Sequence, residues 1–265
     1  MIINELIIQQ LCYTIGLGST EPKFAILSDG SQAVVKLING PQGNLILFNE
    51  YLCYRLALLL DIPMPTSGIC VMNNQTEIQD TSVDTSNYGK AFYSMYMPKT
   101  TKLVSNIINR ISNKEDFIKI LLFDHIIFNN DRNAGNLLVK FLKNDITLQV
   151  IDHTHVFINQ AIWDSNCLER AMASNDLFST RILEENSYLY DMFFQNINVT
   201  KENLTEKSLL FKKRLNYDTI SNIIASIPKE WMPSAKDIES LTKYIMYRVD
   251  NIDVIISTIL KYIKG

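Results

Sequence analysis

The stretch FDHIIFNNDRNAGNLLV, residues 123–139, decides how the rest of the sequence is interpreted. It opens on apolar residues, passes into a polar loop at 129–136 and ends in a second apolar run. The apolar run at 115–128 predicts a buried helix with Asn113 as its N-cap. The residues after the loop predict a short hairpin, 137–141 with 148–152, because apolar and β-branched residues dominate both segments.

Asp131 and Asn136 stand five residues apart in the polar loop. An Asp-x4-Asn spacing is that of a phosphoryl-transfer catalytic loop, in which the carboxylate orients the attacking hydroxyl and accepts its proton. The amide oxygen of such an asparagine can ligate a metal ion. An asparagine-rich surface turn produces the same spacing by chance, so the functional interpretation depends on the rest of the chain.

Asp152 lies in the segment VIDHTHVF, residues 150–157, between apolar residues. A carboxylate at the end of a buried strand is costly unless it is paired or bound to a metal, so this position suits a magnesium ligand. A helix-capping or surface aspartate is the alternative. His153 and His155 do not indicate zinc, because no third ligand with metal spacing is near. His125 is expected to pack inside the preceding helix or to cap it.

Upstream, the segment GLGSTEP at 16–22 precedes a predicted hairpin whose turn is Asp29-Gly30. Glycines let backbone N–H groups approach a phosphate, and hydroxyls add donors. Lys36 lies in the second strand of the hairpin, at 32–38, and Glu50 follows in a predicted helix at 46–60. A strand lysine held by a helix glutamate can meet the α- and β-phosphates of a nucleotide. Taken singly, these features also fit a turn, a solvent-facing lysine and a solvated carboxylate.

The remaining pattern organises the chain into two parts. Strands are predicted at 68–72 and 91–97, and the polar segment between them, 73–90, is a loop or a ragged hairpin. From residue 104 onward the predicted pattern is mostly helical. A single last helix, with an apolar face from Ile238 to Ile256, is capped by Ser234-x-x-Asp237. A glycine loop, a strand lysine, a helix glutamate, Asp-x4-Asn and a later Asp follow the order of a two-lobed kinase. The sequence therefore predicts an α+β fold, with a small β-rich lobe at 1–98 and a larger helical lobe at 99–265.

The composition excludes several classes of protein. Of the 265 residues, 47% are hydrophobic and 20% are charged, which is the composition of a globular protein. No apolar run reaches 18 residues, so none is long enough to span a membrane. A net charge of −3 and a pI near 5.7 argue against a dedicated nucleic-acid-binding face. The four widely spaced cysteines fit a reducing compartment, and the first residues make a poor signal peptide. We therefore expect a cytoplasmic protein that binds neither membranes nor nucleic acid directly.

The chain resembles the HipA-like kinases, a bacterial family whose catalytic lobe is similar to that of phosphatidylinositol 3-kinases. The matching segments are GSTEPKFAILSDGSQAVVKL (18–37), FNEYLCYRLALLLDIPMP (48–65), FDHIIFNNDRNAGNLLV (123–139) and VIDHTHVF (150–157). The segment IPKEWMP (227–233) also looks like the C-terminal region of the family. The catalytic-loop match is specific and the glycine-loop match is loose. The chain resembles a compact, stand-alone kinase core.

The resemblance implies a Ser/Thr protein kinase with ATP and Mg²⁺ as cofactors. Lys36 would contact the ATP phosphates and Glu50 would position it. Asp131 would be the catalytic base, and Asn136 and Asp152 would be catalytic residues that bind Mg²⁺. The strand at 92–97 would be the hinge that offers backbone groups to adenine. The remaining nucleotide-binding positions would be Gly16, Gly18, Ser19, Thr20, Met95, Tyr96 and Met97, with Ser19 or Thr20 as a site of autophosphorylation.

The resemblance also implies a partner class, and two departures keep alternatives open. The protein would regulate growth as a toxin does, by phosphorylating a translation factor or an aminoacyl-tRNA synthetase, and an antitoxin would be a further partner. Asn133 stands where the family often has histidine, and it cannot carry a proton. Pro22 removes one backbone donor from the glycine loop. The alternatives are a small-molecule kinase of the aminoglycoside type, which shares the Asp-x4-Asn loop, and a nucleotide-binding pseudokinase that acts as an interaction module.

Overall fold

The computed structural model describes residues 5–16, 20–158 and 162–264. A strand-rich first part is followed by a mostly helical part, which confirms the predicted α+β class. The strands are β1 (Leu6–Thr14), β2 (Lys23–Leu27), β3 (Gln32–Lys36), β4 (Ser67–Met72), β5 (Glu77–Ile78), β6 (Gly89–Met95), β7 (Thr100–Lys102), β8 (Leu137–Phe141) and β9 (Ile146–Val150). The helices are α1 (Leu45–Leu59), α2 (Phe117–Ile126), α3 (Ser165–Ala173), α4 (Arg181–Glu185), α5 (Ser187–Phe194), α6 (Lys201–Arg214), α7 (Tyr217–Ala225), α8 (Ala235–Asp250) and α9 (Ile252–Lys264). Within these ranges, no helix is both long and apolar enough to cross a bilayer.

The first six strands form a small barrel in the order β2-β3-β6-β4-β1-β5. The sheet closes because β1 pairs antiparallel with β2 as well as parallel with β4. Strands with alternating burial place one set of side chains inside, and Ile8, Leu11, Ala25, Val35 and Cys70 are among those that fill the barrel. The opposite face of β3 and β6 is thereby left to line the space between the two lobes.

The β2–β3 hairpin carries the strand lysine and confirms the predicted turn. Asp29 Oδ1 accepts hydrogen bonds from the backbone N–H and the hydroxyl of Ser31, at 2.9 and 2.6 Å. Gly30 has a φ of +81°, which a residue with a side chain rarely adopts. The register pairs Ala25 with Ala33. The second strand ends at Lys36, two residues earlier than expected, so Lys36 lies at the end of the barrel next to the cleft.

Helix α1 joins the barrel to the helical lobe. It is buried around most of its circumference, because the barrel covers one side and helix α7 with the segment after it covers another. Trp231, in the segment 227–233, packs its ring 6.4 Å from that of Tyr51 in α1. The Trp231 indole N–H also donates to the carbonyl of Lys90 in β6, at 3.2 Å. The glutamate that α1 carries is therefore fixed relative to both lobes.

The central helix of the second lobe differs from the prediction at its start. Helix α2 begins at Phe117, after a single 3-10 turn at Lys114–Asp116, and nine of its ten residues are buried. Asn113 does not cap the helix, which corrects the prediction. Its side chain instead donates to the carbonyl of Leu148 at 3.0 Å and accepts from the N–H of the same residue at 2.7 Å. Asn113 therefore extends the edge of strand β9, a role that only tertiary pairing reveals.

Other elements were missed or misjudged from the sequence. Strand β1 forms from residues for which the sequence predicts no element, β5 lies within the segment at 73–90 that is predicted as a loop or a ragged hairpin, and β7 pairs with β8. The predicted last helix is two helices, because the chain bends at Asn251, where φ is −103° and ψ is +23°. Its side-chain amide donates back to the carbonyl of Tyr247 at 2.8 Å, which ends α8. Ser234 caps α8 as predicted, accepting from the N–H of Asp237 at 3.2 Å.

The packing of α2 against α5 gives a stability prediction. The Phe117 ring stacks on that of Phe193 with centroids 4.0 Å apart, and Phe117 is fully buried. We expect Phe117→Ala to lower the free energy of unfolding by about 3–5 kcal/mol, because it removes an aromatic side chain and leaves a cavity. Tyr188→Ala in α5, at a side chain 78% exposed, should change it by less than about 0.5 kcal/mol. Equal losses for the two variants in urea titrations would contradict this account of the core.

Candidate active site

Lys36 lies between the two lobes and contacts side chains from both. Its ammonium pairs with Glu50 in α1, and donates to Asp152 Oδ1 at 3.1 Å and to Thr154 Oγ1 at 2.7 Å. The Thr154 hydroxyl in turn donates to Glu50 Oε1 at 2.9 Å. The backbone N–H of His153 donates to the other Glu50 oxygen at 3.2 Å. The structure therefore brings Lys36, Glu50 and Asp152 together, and Thr154 joins them.

The charges in this cluster stabilise one another. Burial lowers the pKa of Lys36, but attraction to Asp152 and Glu50 outweighs burial and raises that pKa above its usual value. Burial raises the pKa of Asp152, but Lys36 and the hydrogen bond from Thr154 reverse the shift and hold that pKa below its usual range. Lys36 is therefore a cation and Asp152 an anion at neutral pH. Each group thus keeps its charge because the other charges of the cluster outweigh its burial.

Asp152 has an unusual backbone conformation, which sets the direction of its side chain. Strand β9 ends at Val150, so Asp152 lies two residues beyond the strand rather than at its end. Its φ of +59° is in the left-handed region, which costs a non-glycine residue energy and is found often at functional sites. The N–H of Ile151 donates to the carbonyl of Asn136 at 3.0 Å. This bond places the two candidate magnesium ligands on adjoining segments.

The catalytic-loop candidate is held by its own asparagines. The Asn136 amide donates to the Asp131 carbonyl at 2.8 Å, and Asn129 Oδ1 accepts from the Asp131 N–H at 3.0 Å. Asn133 caps the following turn by accepting from the N–H of Gly135 at 2.8 Å. The backbone of Asp131 is thus fixed on both sides while its carboxylate stays 46% exposed. The side chain of Asp131 is therefore accessible from outside the protein.

Arg132 connects the two loops from beneath. Its guanidinium is fully buried, pairs with Asp124 of α2 at 2.9 Å and donates to the carbonyl of Ile151 at 2.9 Å. The same group lies 2.8 Å from His153 Nε2. Because a guanidinium only donates, Nε2 must accept, so the proton of His153 is on Nδ1. Burial and Arg132 lower the pKa of His153 well below its usual value, which keeps this ring neutral.

Residues from the helical lobe also hold the catalytic loop. Asn186, between α4 and α5, accepts from the Arg132 N–H at 2.8 Å and donates to the Asn129 carbonyl at 2.9 Å. Tyr190 donates to Asp124 Oδ2 at 2.9 Å. These residues lie in a part of the chain, 158–226, in which no motif was found. His125 is buried in α2, and burial lowers its pKa to about 3, as expected for a packed histidine.

A cavity of about 300 Å³ opens beside Lys36 between the lobes. Its wall combines apolar side chains with Lys36, Glu50 and Asp152 at one end, which is the usual composition of a ligand pocket. The predicted hinge residues Met95, Tyr96 and Met97 line it, together with Ile15, Pro22, Val34, Met64, Phe92 and Ile151. The N–H groups of Met95 and Tyr96 already donate to the carbonyls of Thr66 and Gln32, at 2.8 and 2.9 Å. The N–H of Met97, the next hinge residue, has no acceptor among the described residues.

The glycine loop is placed in part. The N–H of Ile15 donates to the carbonyl of Pro22 at 2.7 Å, which joins the two described ends of this segment beside the cavity, and Gly16 has a φ of +67°. Gly18 and Ser19 lie outside the described residues. Thr20 is buried and faces a separate polar cavity of about 290 Å³ with Lys23 and Asn39, so the structure does not bring it to the cleft.

The donor set of the cleft fits a divalent metal held jointly with phosphates. Asp152 offers a carboxylate that is 37% exposed, and Asn136 Oδ1 accepts no hydrogen bond from the described residues. Magnesium is commonly bound by one or two such oxygens together with substrate phosphates, rather than by a cage of protein ligands. Consistent with a shared site, no group of three or more His, Cys, Asp or Glu side chains in the described ranges is arranged to hold a metal alone.

Solved structures share this architecture. The proinflammatory kinase CtkA of Helicobacter pylori matches with a TM-score of 0.59 at 13% identity, over 97% of this chain and 98% of that chain. A Golgi casein kinase with Mn and ADP bound matches at 0.52 and 12% identity, over 96% and 74%. HipA of Shewanella oneidensis, solved with HipB and operator DNA, matches at 0.48 and 10% identity, over 91% and 65%. No curated protein matches the sequence.

The fold is therefore the kinase-like fold of these solved structures. The sequence model of the HipA-like kinases matches residues 8–255, which is most of the chain. The chain therefore belongs to the HipA-like kinase family, and the resemblance inferred from its motifs is confirmed.

The buried Arg132–Asp124 pair gives a second stability prediction. We expect Arg132→Met to cost about 3–5 kcal/mol of unfolding free energy, because Asp124 would be left as an uncompensated buried charge. The control is Arg181→Met, since Arg181 and its partner Glu185 are both more than 40% exposed, and it should cost less than about 1 kcal/mol. Chemical denaturation of both variants provides the measurement. A loss below 1 kcal/mol for Arg132→Met would show that the pair does not hold the loops.

Proposed function

We propose that this protein is an ATP- and Mg²⁺-dependent kinase that transfers the γ-phosphoryl group to a serine or threonine hydroxyl of a protein. One observation carries the proposal: Lys36, Glu50 and Asp152 converge at the inner end of an apolar cavity, and the Asn136 carbonyl is bonded to the residue before Asp152. This arrangement offers a place for an adenine ring, for phosphates and for a metal side by side. Membership of a kinase family supports it.

Each residue has a distinct part in this proposal. Adenine would enter the apolar cavity and accept a hydrogen bond from the N–H of Met97. Lys36, held by Glu50, would bind the α- and β-phosphates, since the neighbouring carboxylates preserve its charge against burial. Asn136 and Asp152 would hold Mg²⁺, which when bound neutralises the charge on the phosphates. The Golgi casein kinase structure contains Mn and ADP, which supports a nucleotide and a divalent metal here.

In the chemical step, Asp131 would both position the acceptor hydroxyl and accept its proton. Asp131 would orient the acceptor hydroxyl and accept its proton as the new O–P bond forms and the bond from the γ-phosphorus to the leaving oxygen of ADP breaks. Its carboxylate is 46% exposed and stands beside the exposed side chain of Asn133. This openness favours an acceptor that approaches across the surface, such as a polypeptide, over a small molecule enclosed in a deep acidic pocket.

Family membership extends the proposal to a biological role. A toxin-like regulator of growth would phosphorylate a component of translation, either a translation factor or an aminoacyl-tRNA synthetase, and an antitoxin would be its second partner. Ser19 and Thr20 are the proposed autophosphorylation positions. Because Thr20 is buried away from the cleft, its modification requires the glycine loop to move.

A transfer assay tests the proposed function. Purified protein with [γ-³²P]ATP and Mg²⁺ should label itself or a protein acceptor, with mass spectrometry locating the phosphate. Asp131→Asn should reduce the rate by about 10²–10⁴-fold, the usual contribution of a general base, while ADP binding is retained. Asp164→Asn, which keeps a helix cap at an exposed position, should leave the rate unchanged.

Contrary outcomes distinguish the alternatives. Transfer by Asp131→Asn at the unaltered rate would exclude Asp131 as the base. Transfer to aminoglycosides but not to proteins would establish the small-molecule kinase. Mg²⁺-dependent ATP binding without transfer to either acceptor class would establish the pseudokinase.

A further inference from the structure

We infer that His155 is a positioning residue that aims the carboxylate of Asp131 and ties it to the barrel lobe through Gln42; this inference rests on the proposed function. His155 Nδ1 lies 3.1 Å from Asp131 Oδ2, and its Nε2 lies 3.3 Å from Gln42 Oε1. The imidazole therefore spans the cleft between the catalytic loop and the turn that precedes α1. No motif assigned either His155 or Gln42 to this site.

The carboxylate of Asp131 needs such a partner. The backbone of Asp131 is held firmly, but the torsion that rotates an aspartate carboxylate is broad. Among the described residues, its carboxylate otherwise contacts only the Asn133 side-chain amide, at 3.4 Å, close to the limit for a hydrogen bond. The side chain of His155 is only 20% exposed, against 46% for that of Asp131. The better-buried imidazole thus selects one orientation of the exposed carboxylate.

Gln42 lies in a turn that is fixed by hydrogen bonds. The N–H of Asn39 donates to Asn44 Oδ1 at 2.7 Å, and the N–H of Gly43 donates to the Gly40 carbonyl at 3.0 Å. Helix α1, which carries Glu50, begins directly after this turn. The position of α1 consequently sets both the Lys36–Glu50 pair and the contact of Gln42 with His155. Closure of the barrel lobe onto the helical lobe would order the phosphate-binding and proton-accepting groups together.

The charges around His155 favour a ring that donates from both nitrogens. Asp131 and Gln42 Oε1 both present acceptors, so both bonds form together only when each nitrogen carries a proton. The hydrogen bond to Asp131 raises the pKa of His155 above its usual value, with Asp152 contributing in the same direction and burial and Lys36 opposing. The imidazole is therefore suited to hold two acceptors from opposite sides of the cleft.

Histidine NMR tests the contact without any assay of activity. The chain has three histidines, and His125 and His153 are buried with lowered pKa values, so ¹⁵N-histidine labelling gives three distinguishable imidazoles. We expect Gln42→Ala to shift the Nε2 signal of His155 and to leave the other two rings unchanged. Gln75→Ala, at an exposed barrel position, should shift none of them. An unchanged His155 signal in Gln42→Ala would overturn the inference.

Kinetics test the positioning role. His155→Ala should lower kcat by about 100-fold, the usual effect of a misplaced catalytic group, with the KM for ATP within twofold. Gln42→Ala should lower kcat by a smaller factor, and the double variant should have the kcat of His155→Ala. Gln42→Glu should keep the kcat of the unaltered protein, because glutamate still offers an acceptor to His155. Unaltered kcat in both single variants, with Asp131→Asn inactive, would overturn the inference and leave the proposed function intact. Absence of transfer by the unaltered protein, with the NMR contact present, would overturn the proposed function and confirm the contact.

Discussion

The structure depends most on a buried cation shared between two lobes. Lys36 extends from the barrel into a site where Glu50 of α1 and Asp152 of the helical lobe supply opposite charge. Removing one partner from a buried ion pair costs several kcal/mol, because the other charge is left without compensation. The barrel, helix α1 and the loop after β9 are therefore held in one relative arrangement. The cavity beside Lys36 takes its shape from that arrangement.

A second buried cation, Arg132, holds together the two loops that carry Asp131 and Asp152. Arg132 pairs with Asp124 and bonds the carbonyl of Ile151, so it joins the loop of Asp131 to the loop of Asp152. Its contact with His153 places a neutral ring beneath the cleft. The two cations have different positions: Lys36 faces the cavity and is available to a ligand, whereas Arg132 is enclosed and serves the backbone. The two cations thus divide the contacts, since Lys36 serves the cavity and Arg132 fixes the backbone of the two loops.

Local patterns predicted the residues of the cleft better than the elements around it. Lys36, Asp131 and Asp152 were identified because each stands in a short motif beside an apolar strand or helix. The sequence predicts no element over β1, because its parallel partners β4 and β5 lie far along the chain and no two-residue hairpin turn joins it to its antiparallel neighbour β2. The bend at Asn251 was missed because the apolar period continues through it. Which cavity Thr20 lines and which residues Asn186 contacts depend on tertiary packing, and no sequence motif indicates either.

Calorimetric titration of ADP with and without Mg²⁺ is the most direct test of the central claim that the cleft holds a nucleotide and a metal around Lys36. The account predicts that Mg²⁺ strengthens ADP binding by the unaltered protein and that this enhancement is lost in Asp152→Asn. The metal-free affinity of that variant should be close to that of the unaltered protein, because Lys36 remains paired with Glu50. A Mg²⁺ enhancement that is the same in both proteins would contradict the assignment of Asp152 and with it the account of the cleft.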